Sequence, residues 1–306
     1  MITYFQAVVL GLLQGVSELF PISSLGHSIL IPGLLGWNLN MKAESMLEFL
    51  VATHFATALV LFVFYWNDWM KIIGAFFRSL DDWKLVSAPV KGEAGGMGGG
   101  DIYAKLAWLL VIATIPAGLV GLLFKKKLEG LFIDPRAVAV VLVANGVLLL
   151  AAEITRKRRE KRHGIEVTEA APQETSHGGD ARIAKLSWWQ AIKVGLIQVL
   201  ALIPGISRTG STFAGSLWEG LSHEDSLRFS FLLATPIIGA AALLELPKLL
   251  HAGGALLALS FTGAVAAAIG AYFSVKFLVR WFKTRTLLPF AVYCLLIGII
   301  ASFILH

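Results

Sequence analysis

Six long apolar stretches constrain the fold of this chain more than any other feature of its sequence. A helix needs roughly 20 apolar residues to cross the hydrocarbon core of a bilayer. The composition agrees, since 57% of the residues are hydrophobic and only 15% are charged, against about 25% charged in an ordinary soluble domain. The stretches lack the alternation of barrel strands, so they predict an all-α integral membrane protein. The predicted spans are Leu47–Trp66, Ala104–Phe124, Ala137–Ile154, Leu227–Leu246, Ala255–Val279 and Leu287–Leu305.

Two further apolar regions, Phe5–Gly36 and Trp188–Leu221, are interrupted by polar residues. Each has a proline near its middle, Pro21 in the first and Pro204 in the second, followed by serine and glycine. A continuous helix would break at these prolines. Irregular backbone at membrane depth is tolerated only where it is buried in protein or lines a cavity. The sequence therefore predicts a broken helix in each region.

The two broken regions resemble each other, which indicates an internal repeat. Ala7–Ser28 aligns with Ala191–Thr212 without a gap, and both share a Gly-x-x-Gln followed by Ile-Ser-x-x-Gly. Three predicted spans lie between the two copies, and an odd number turns the second copy over relative to the first. Inverted repeats with discontinuous helices occur in membrane transporters. We therefore expect an inverted-topology repeat in which each broken region forms a re-entrant helix pair.

The charged loops predict the orientation and the boundaries of the repeats. The net charge is +6, and the run from Arg156 to Lys185 opens with RKRREKRH. An excess of Lys and Arg marks cytoplasmic loops, so we expect a cytoplasmic linker and no nucleic-acid partner. The smaller cluster Lys125–Lys127 would then lie on the opposite face. We expect a single membrane domain with a first repeat over residues 1–154, a linker over 155–187 and a second repeat over 188–306.

The first broken region carries groups that suit catalysis. Gln14 and Glu18 are four residues apart, so they share a helical face. A carboxylate with an amide partner can hold a divalent ion through oxygen, which makes these two residues the expected metal ligands. A serine after the break can cap the next helix, whose N-terminus would offer N–H groups to an anion. The polar residues in that position are Ser23, Ser24 and His27.

The second broken region, PGISRTGST, carries an anion-binding pattern. Arg208 is suited to bidentate contact with phosphate oxygens, and a glycine-rich turn into a helix adds backbone donors. Together the two regions indicate phosphoryl chemistry, in which a metal ion would shield the charge of a diphosphate. The expected phosphate-binding residues are Ser23, Gly205, Ser207, Arg208, Thr209, Gly210 and Thr212.

Structural explanations stand beside these functional ones. Glu18 and Arg208 could form a packing ion pair, His27 could bond a backbone carbonyl, and each serine could be only a helix cap. Ionisable groups inside a membrane are costly, however, and their default interpretation is functional. His54 is expected to be structural. The ionisable groups expected to be solvated are Glu153, His163, His177, His223 and His251.

Two motifs resemble those of the undecaprenyl-diphosphate phosphatase family of the bacitracin-resistance type, and the resemblance covers nearly the whole chain. Gln14 stands where many members have Glu, which should weaken metal binding or change how the metal is shared, and Thr209 stands where Ser is usual. The family's Glu/Gln-x-x-x-Glu and Pro-x-Ser-Ser-x-Gly-His correspond to Gln14, Glu18, Pro21, Ser23, Ser24, Gly26 and His27. Its Pro-Gly-x-Ser-Arg-Ser-Gly-x-Thr corresponds to Pro204, Gly205, Ser207, Arg208, Thr209, Gly210 and Thr212.

The resemblance implies a multi-pass enzyme of the bacterial inner membrane with a site that opens towards the periplasm. It would remove the terminal phosphate of undecaprenyl diphosphate and give the undecaprenyl phosphate used in cell-wall synthesis. Dependence on a divalent cation, Mg²⁺ or Ca²⁺, is implied, and so is resistance to bacitracin, which competes for the substrate. The other expected partners are membrane lipids and a second copy of the chain in a homodimer.

The expected catalytic residues are Glu18, Ser24, His27 and Arg208. The identity of the nucleophile and the choice between two functions stay open. Either His27 or Ser24 can be the nucleophile, because both roles need the same group within hydrogen-bond reach. The alternative function is a polyprenyl-phosphate flippase, which would need the anion site but no nucleophile.

Overall fold

The computed structural model describes residues 2–37, 43–88, 99–124, 134–163, 176–251 and 253–305. Within these ranges the chain forms helices joined by loops, and no strand is assigned there. A short 3₁₀ turn, Val199–Leu202, follows α9. The helices of the described residues are α1 (Tyr4–Leu19), α2 (Ser24–Leu34), α3 (Ala43–Phe64), α4 (Trp66–Asp81), α5 (Lys84–Ser87), α6 (Ile102–Leu123), α7 (Pro135–His163), α8 (Ser176–Ala184), α9 (Trp188–Gln198), α10 (Arg208–Trp218), α11 (His223–Leu250), α12 (Gly254–Trp281) and α13 (Leu288–Ile304).

Five helices in the described part of the chain, α3, α6, α7, α11 and α12, are long and apolar enough to cross a membrane. Five of the six predicted spans are therefore confirmed as apolar helices of that length. The sixth, Leu287–Leu305, forms α13, which is apolar but has 17 residues and falls short of the others. The chain is an all-α, multi-pass membrane protein.

Both breaks expected at the prolines are confirmed. Helix α1 ends at Leu19 and α2 begins at Ser24, with the hydroxyl of Ser23 capping the backbone N–H of Gly26. In the second region, α10 begins at Arg208 after an irregular segment that contains Pro204. Each proline thus lies between two short helices, and the serines that follow the breaks become helix caps.

Small residues hold α1 close to α12. A β-carbon added at Gly11 or at Gly15 would overlap a backbone carbonyl oxygen of α12, that of Gly263 or Ala267. Glycine is therefore required at both positions, because a larger residue would force the two helices apart. This contact fixes the first broken region against a membrane-length helix.

The basic run after the third span is partly helical. Helix α7 continues to His163, nine residues beyond the predicted end at Ile154. Helix α8 then packs beside α11, where Arg182 bonds Asp225 and Arg228 bonds Asp180 at 2.6 Å each. Lys125–Lys127 and residues 164–175 lie outside the described residues.

The expectation that Glu153 and His223 are solvated is wrong. Glu153 is 2% exposed and His223 is 8% exposed, and His223 Nε2 lies 2.8 Å from Glu153 Oε2. The two side chains meet between α7 and the start of α11, where both are removed from solvent. His251 is exposed as expected, whereas the side chains of His163 and His177 lie outside the described part of the chain.

Candidate active site

Glu18 lies at the centre of a buried cluster of polar side chains from four helices. Its Oε1 accepts from the guanidinium of Arg208 on α10. Its Oε2 accepts from the hydroxyl of Ser24 on α2 and from Nε2 of Gln14 at 3.0 Å. His54 on α3 places Nε2 at 3.3 Å from the same oxygen. The two broken regions therefore meet through one carboxylate, which is only 5% exposed.

The N-terminal turns of α2 and α10 lie side by side next to this carboxylate. Thr209 Oγ1 donates to the backbone carbonyl of Glu18 at 3.0 Å. A β-carbon at Gly26 would lie 3.4 Å from the Cα of Gly205, so the two backbones approach closely. Gly205 has φ +106, a left-handed conformation that favours glycine. Two helix N-termini at one place attract an anion.

Asn145 on α7 ties the two breaks together, and no sequence pattern predicted it. Its Nδ2 donates to the carbonyl of Pro21 at 3.0 Å, and its Oδ1 accepts from the backbone N–H of Ser207 at 2.9 Å. The side chain is fully buried. One amide thus satisfies an acceptor of the first break and a donor of the second, which fixes their relative position.

His27 is held by two contacts in the first turn of α2. Its Nδ1 lies 2.7 Å from the carbonyl of Ser23, and its Nε2 lies 2.9 Å from the hydroxyl of Tyr293 on α13. The two rings are stacked at 5.6 Å. Because a carbonyl only accepts, Nδ1 carries the proton, and Nε2 of the neutral ring accepts from Tyr293. Nε2 is therefore the atom with a lone pair to offer.

The structure brings most of the sequence-derived site residues together. Gln14, Glu18, Ser24, Arg208 and Thr209 form one bonded cluster. His27 shares a helical face with Ser24 three residues earlier, although it bonds Tyr293 rather than this cluster. The other predicted residues lie at or near the starts of α2 and α10. Ser23 and Ser207 cap these helices, and Gly205 and Gly210 contribute only backbone atoms. Thr212 donates to the carbonyl of Arg208 within α10.

Three residues in contact with the predicted site were missed or dismissed by sequence reasoning. Asn145 and Tyr293 were not singled out, and His54 was expected to be structural. All three lie within apolar helices. The available signal was the cost of polar side chains inside a membrane, which marks each of them for a functional interpretation.

The donors around Glu18 fit a divalent cation held mainly by oxygen. Among the described residues no group of three or more His, Cys, Asp or Glu side chains could hold a metal ion. However, Oε1 of Gln14 is buried without a hydrogen-bond partner, and the same amide contacts the Glu18 carboxylate. Mg²⁺ is commonly held by one or two carboxylates with substrate phosphates and water, and this donor set matches that pattern.

Sequence comparisons give a consistent result over nearly the full length of the chain. Residues 7–300 match the family model described as bacitracin resistance protein BacA. Undecaprenyl-diphosphatase 2 of Frankia alni is 41% identical, with 98% of this chain and 97% of the relative aligned. Undecaprenyl-diphosphatase of Mycolicibacterium paratuberculosis is also 41% identical, over 97% and 95%. Undecaprenyl-diphosphatase 2 of Burkholderia thailandensis is 44% identical, over 95% and 93%.

Proposed function

The chain belongs to the bacitracin resistance protein BacA family, and we propose that it removes the terminal phosphate of undecaprenyl diphosphate. The product, undecaprenyl phosphate, returns to cell-wall synthesis. The observation that carries this proposal is the buried pair of Glu18 and Arg208, which lies beside two helix N-termini. Hydrolysis would also explain resistance to bacitracin, because the antibiotic competes for the same lipid diphosphate. The similarity over nearly the whole chain to proteins named undecaprenyl-diphosphatase supports the same activity.

Arg208 and the start of α10 would bind the diphosphate. A guanidinium can hold two phosphate oxygens at once, and the N–H groups of the first helical turn add further donors. In the structure Arg208 is paired with Glu18. In our proposal the phosphate replaces the carboxylate at the guanidinium, which leaves Glu18 free for another partner.

Glu18 and Oε1 of Gln14 are the proposed ligands of a divalent cation, Mg²⁺ or Ca²⁺. Bound there, the cation would shield the charge of the diphosphate and stabilise the transfer of its terminal phosphoryl group. Gln14 contributes a neutral oxygen where a Glu would contribute a charged one. The cation would then be held more weakly than by two carboxylates.

His27 and Ser24 remain the two candidates for the nucleophile, with His27 favoured. In the first route, Nε2 of His27 attacks the terminal phosphorus, the bridging P–O bond breaks, and undecaprenyl phosphate leaves. Water then hydrolyses the phosphorylated imidazole. In the second route, His27 removes the proton from the Ser24 hydroxyl, and the serine oxygen attacks the terminal phosphorus instead. Undecaprenyl phosphate again leaves as the bridging P–O bond breaks, and water hydrolyses the phosphoserine. Nε2 currently accepts from Tyr293, so both routes require that hydrogen bond to be released.

The topology that we propose is an inverted repeat with two re-entrant helix pairs. Its support is local: Thr3 and Ser187 start α1 and α9 with the same capping box. The aligned Gly11 and Gly195 each lie against a backbone carbonyl of a membrane-length helix, α12 or α6. The boundaries proposed are 1–154, 155–187 and 188–306. The basic end of α7 would face the cytoplasm of a bacterial inner membrane, with the site open to the periplasm. A homodimer remains a prediction.

Phosphate release by the purified protein in detergent tests the proposed activity. Undecaprenyl diphosphate and Mg²⁺ are incubated with wild type, Glu18→Ala, His27→Ala and Arg208→Ala, with His251→Ala as an exposed control. We expect the site variants to lose roughly 10²- to 10⁴-fold in rate and the control to keep it. No release by wild type would refute a phosphatase, and full activity of His27→Ala would remove His27 from the mechanism. A flippase needs a sealed bilayer with two sides, so release in micelles separates the two functions.

A further inference from the structure

We propose that His54 is a ligand of the divalent cation at Glu18, so that the ion is held by a nitrogen as well as by oxygens. The inference rests on the proposed function, because it assumes a cation at this carboxylate. It adds a ligand from α3, outside both broken regions. It also predicts which kind of cation the site prefers.

The hydrogen bonds of His54 leave one ring nitrogen directed at the carboxylate. Nδ1 lies 2.7 Å from the carbonyl of Leu50, and because that oxygen only accepts, Nδ1 carries a proton. Nε2 lies 3.3 Å from Oε2 of Glu18. In the neutral ring this nitrogen has a lone pair, and an ionised carboxylate oxygen also offers only lone pairs. The two atoms therefore need a cation between them.

A simple ion pair between a protonated His54 and Glu18 explains this geometry poorly. Charge-assisted N–H···O⁻ bonds are about 2.7–2.9 Å long, whereas the observed separation is 3.3 Å. Oε2 already accepts from Ser24 and from Gln14, and a carboxylate has about two lone-pair sites on each oxygen. A protonated His54 would be a third donor without a free site, whereas a cation can take the site of Gln14 Nε2 when that amide turns to present Oε1.

The same separation suits two ligands of one metal ion. Ligands that each lie about 2.1 Å from an ion and adjoin at about a right angle are about 3 Å apart. Oε1 of Gln14 supplies a third donor, since it is buried without a partner and belongs to the amide that contacts Oε2. Gln14, Glu18 and His54 thus offer one amide oxygen, one carboxylate oxygen and one imidazole nitrogen at the Glu18 carboxylate.

Arg208 does not compete for this place, because it bonds the other carboxylate oxygen, Oε1 of Glu18. A cation at Oε2 would repel the guanidinium at close range. Cation binding would therefore favour transfer of Arg208 from Glu18 to the substrate phosphate. The two ligands, cation and diphosphate, would bind cooperatively through one carboxylate.

Imidazole ligation also predicts selectivity among cations. Carboxylate, carbonyl and water ligands suit Mg²⁺ and Ca²⁺, whereas imidazole suits ions further along the transition series. We therefore expect Mn²⁺ to bind more tightly than Ca²⁺, and His54→Ala to lose that preference.

The test uses the full-length protein in detergent with Mn²⁺ alone, without substrate. Pulsed electron paramagnetic resonance detects nitrogen bonded to Mn²⁺, and the signal changes when the histidines carry ¹⁵N. Wild type should show coupling to one histidine nitrogen. His54→Ala should lose the coupling and raise the Mn²⁺ dissociation constant by about tenfold or more. His54→Gln serves as a conservative second variant, and His251→Ala is the matched control that should keep both properties.

Three results would overturn the inference: no Mn²⁺ binding by wild type, bound Mn²⁺ without a ¹⁵N-sensitive coupling, or coupling that persists in both His54 variants. The wild-type measurement needs no variant, so misfolding of a variant cannot rescue the idea. Phosphate release is measured on the same preparation. Hydrolysis without histidine coupling overturns the His54 ligand alone, whereas histidine coupling without hydrolysis overturns the proposed phosphatase alone.

Discussion

The buried ion pair between Glu18 and Arg208 makes a quantitative prediction about stability. The Glu18 side chain is 4% exposed and that of Arg208 is 18% exposed. Removing one partner of a buried pair costs about 3–5 kcal/mol, because the other charge is left without compensation. Glu18→Gln leaves a buried guanidinium, and we expect a loss of about 4 kcal/mol. Arg208→Met leaves a carboxylate that still accepts from Ser24 and Gln14, so we expect about 3 kcal/mol.

A double-mutant cycle separates the pair from the individual side chains. The double variant removes both charges and should lose about 4 kcal/mol, which makes the coupling energy about 3 kcal/mol. Unfolding is followed by tryptophan fluorescence in mixed micelles of rising denaturing-detergent fraction. The control cycle uses Lys193 and Glu219, whose lysine side chain is 45% exposed. Exposed pairs contribute about 0–1 kcal/mol. A coupling below about 1 kcal/mol for Glu18 and Arg208 would refute the resting ion pair.

Three further substitutions test the packing and the hydrogen bonds around the site. Gly15→Ala should cost about 2–3 kcal/mol in the same unfolding assay, because the added carbon overlaps a carbonyl of α12. Asn145→Ala should cost about 2–5 kcal/mol, since it leaves one buried carbonyl and one buried N–H unpaired at the two breaks. Tyr293→Phe keeps the ring that stacks on His27 but removes the hydroxyl. Both proposed routes release that hydrogen bond, so its removal should raise kcat for phosphate release by up to about tenfold with little change in KM.

Each of these substitutions has a matched control. Gly118→Ala adds a carbon where nothing lies within 4 Å, so it should leave stability unchanged or raise it by up to about 1 kcal/mol. Thr262→Ala removes an exposed hydroxyl that bonds within α12, and Tyr272→Phe removes an exposed phenol. Thr262→Ala should leave the free energy of unfolding unchanged, and Tyr272→Phe should leave kcat unchanged. Equal effects in a test variant and its control would show that the named contact is not the cause.

The spans and the breaks could be predicted because their causes are local in sequence. Length and hydropathy decide whether a helix can cross a bilayer, and a proline interrupts a helix wherever it stands. The end of α7 could not be placed by hydropathy, because Lys, Arg and Glu are good helix formers even where the apolar run stops. Arg156 pairs with Glu160 along the helix, and Arg159 donates to the carbonyls of Leu217 and Trp218 at the end of α10.

The burial of Glu153 and His223 could not be predicted, because it depends on contacts between distant segments. Each residue stands at the polar end of an apolar run, which usually indicates solvation. In the fold, the ring of His223 stacks on Phe282, and Glu153 also accepts from the backbone N–H of Leu287 before α13. Three helices meet there, and no local sequence pattern predicts these contacts.

Some residues of the candidate site can be predicted from sequence motifs, whereas others are identified only by the fold. The broken regions provide Glu18, His27 and Arg208, which polar motifs marked. The apolar helices provide one polar side chain to each structural feature of the site: His54 to the carboxylate, Asn145 to the two breaks, and Tyr293 to the imidazole. A lone polar residue in an apolar helix has no neighbouring motif to identify its partner. Its cost in the membrane nevertheless implies a partner, and in this chain that partner lies on a broken region in all three cases.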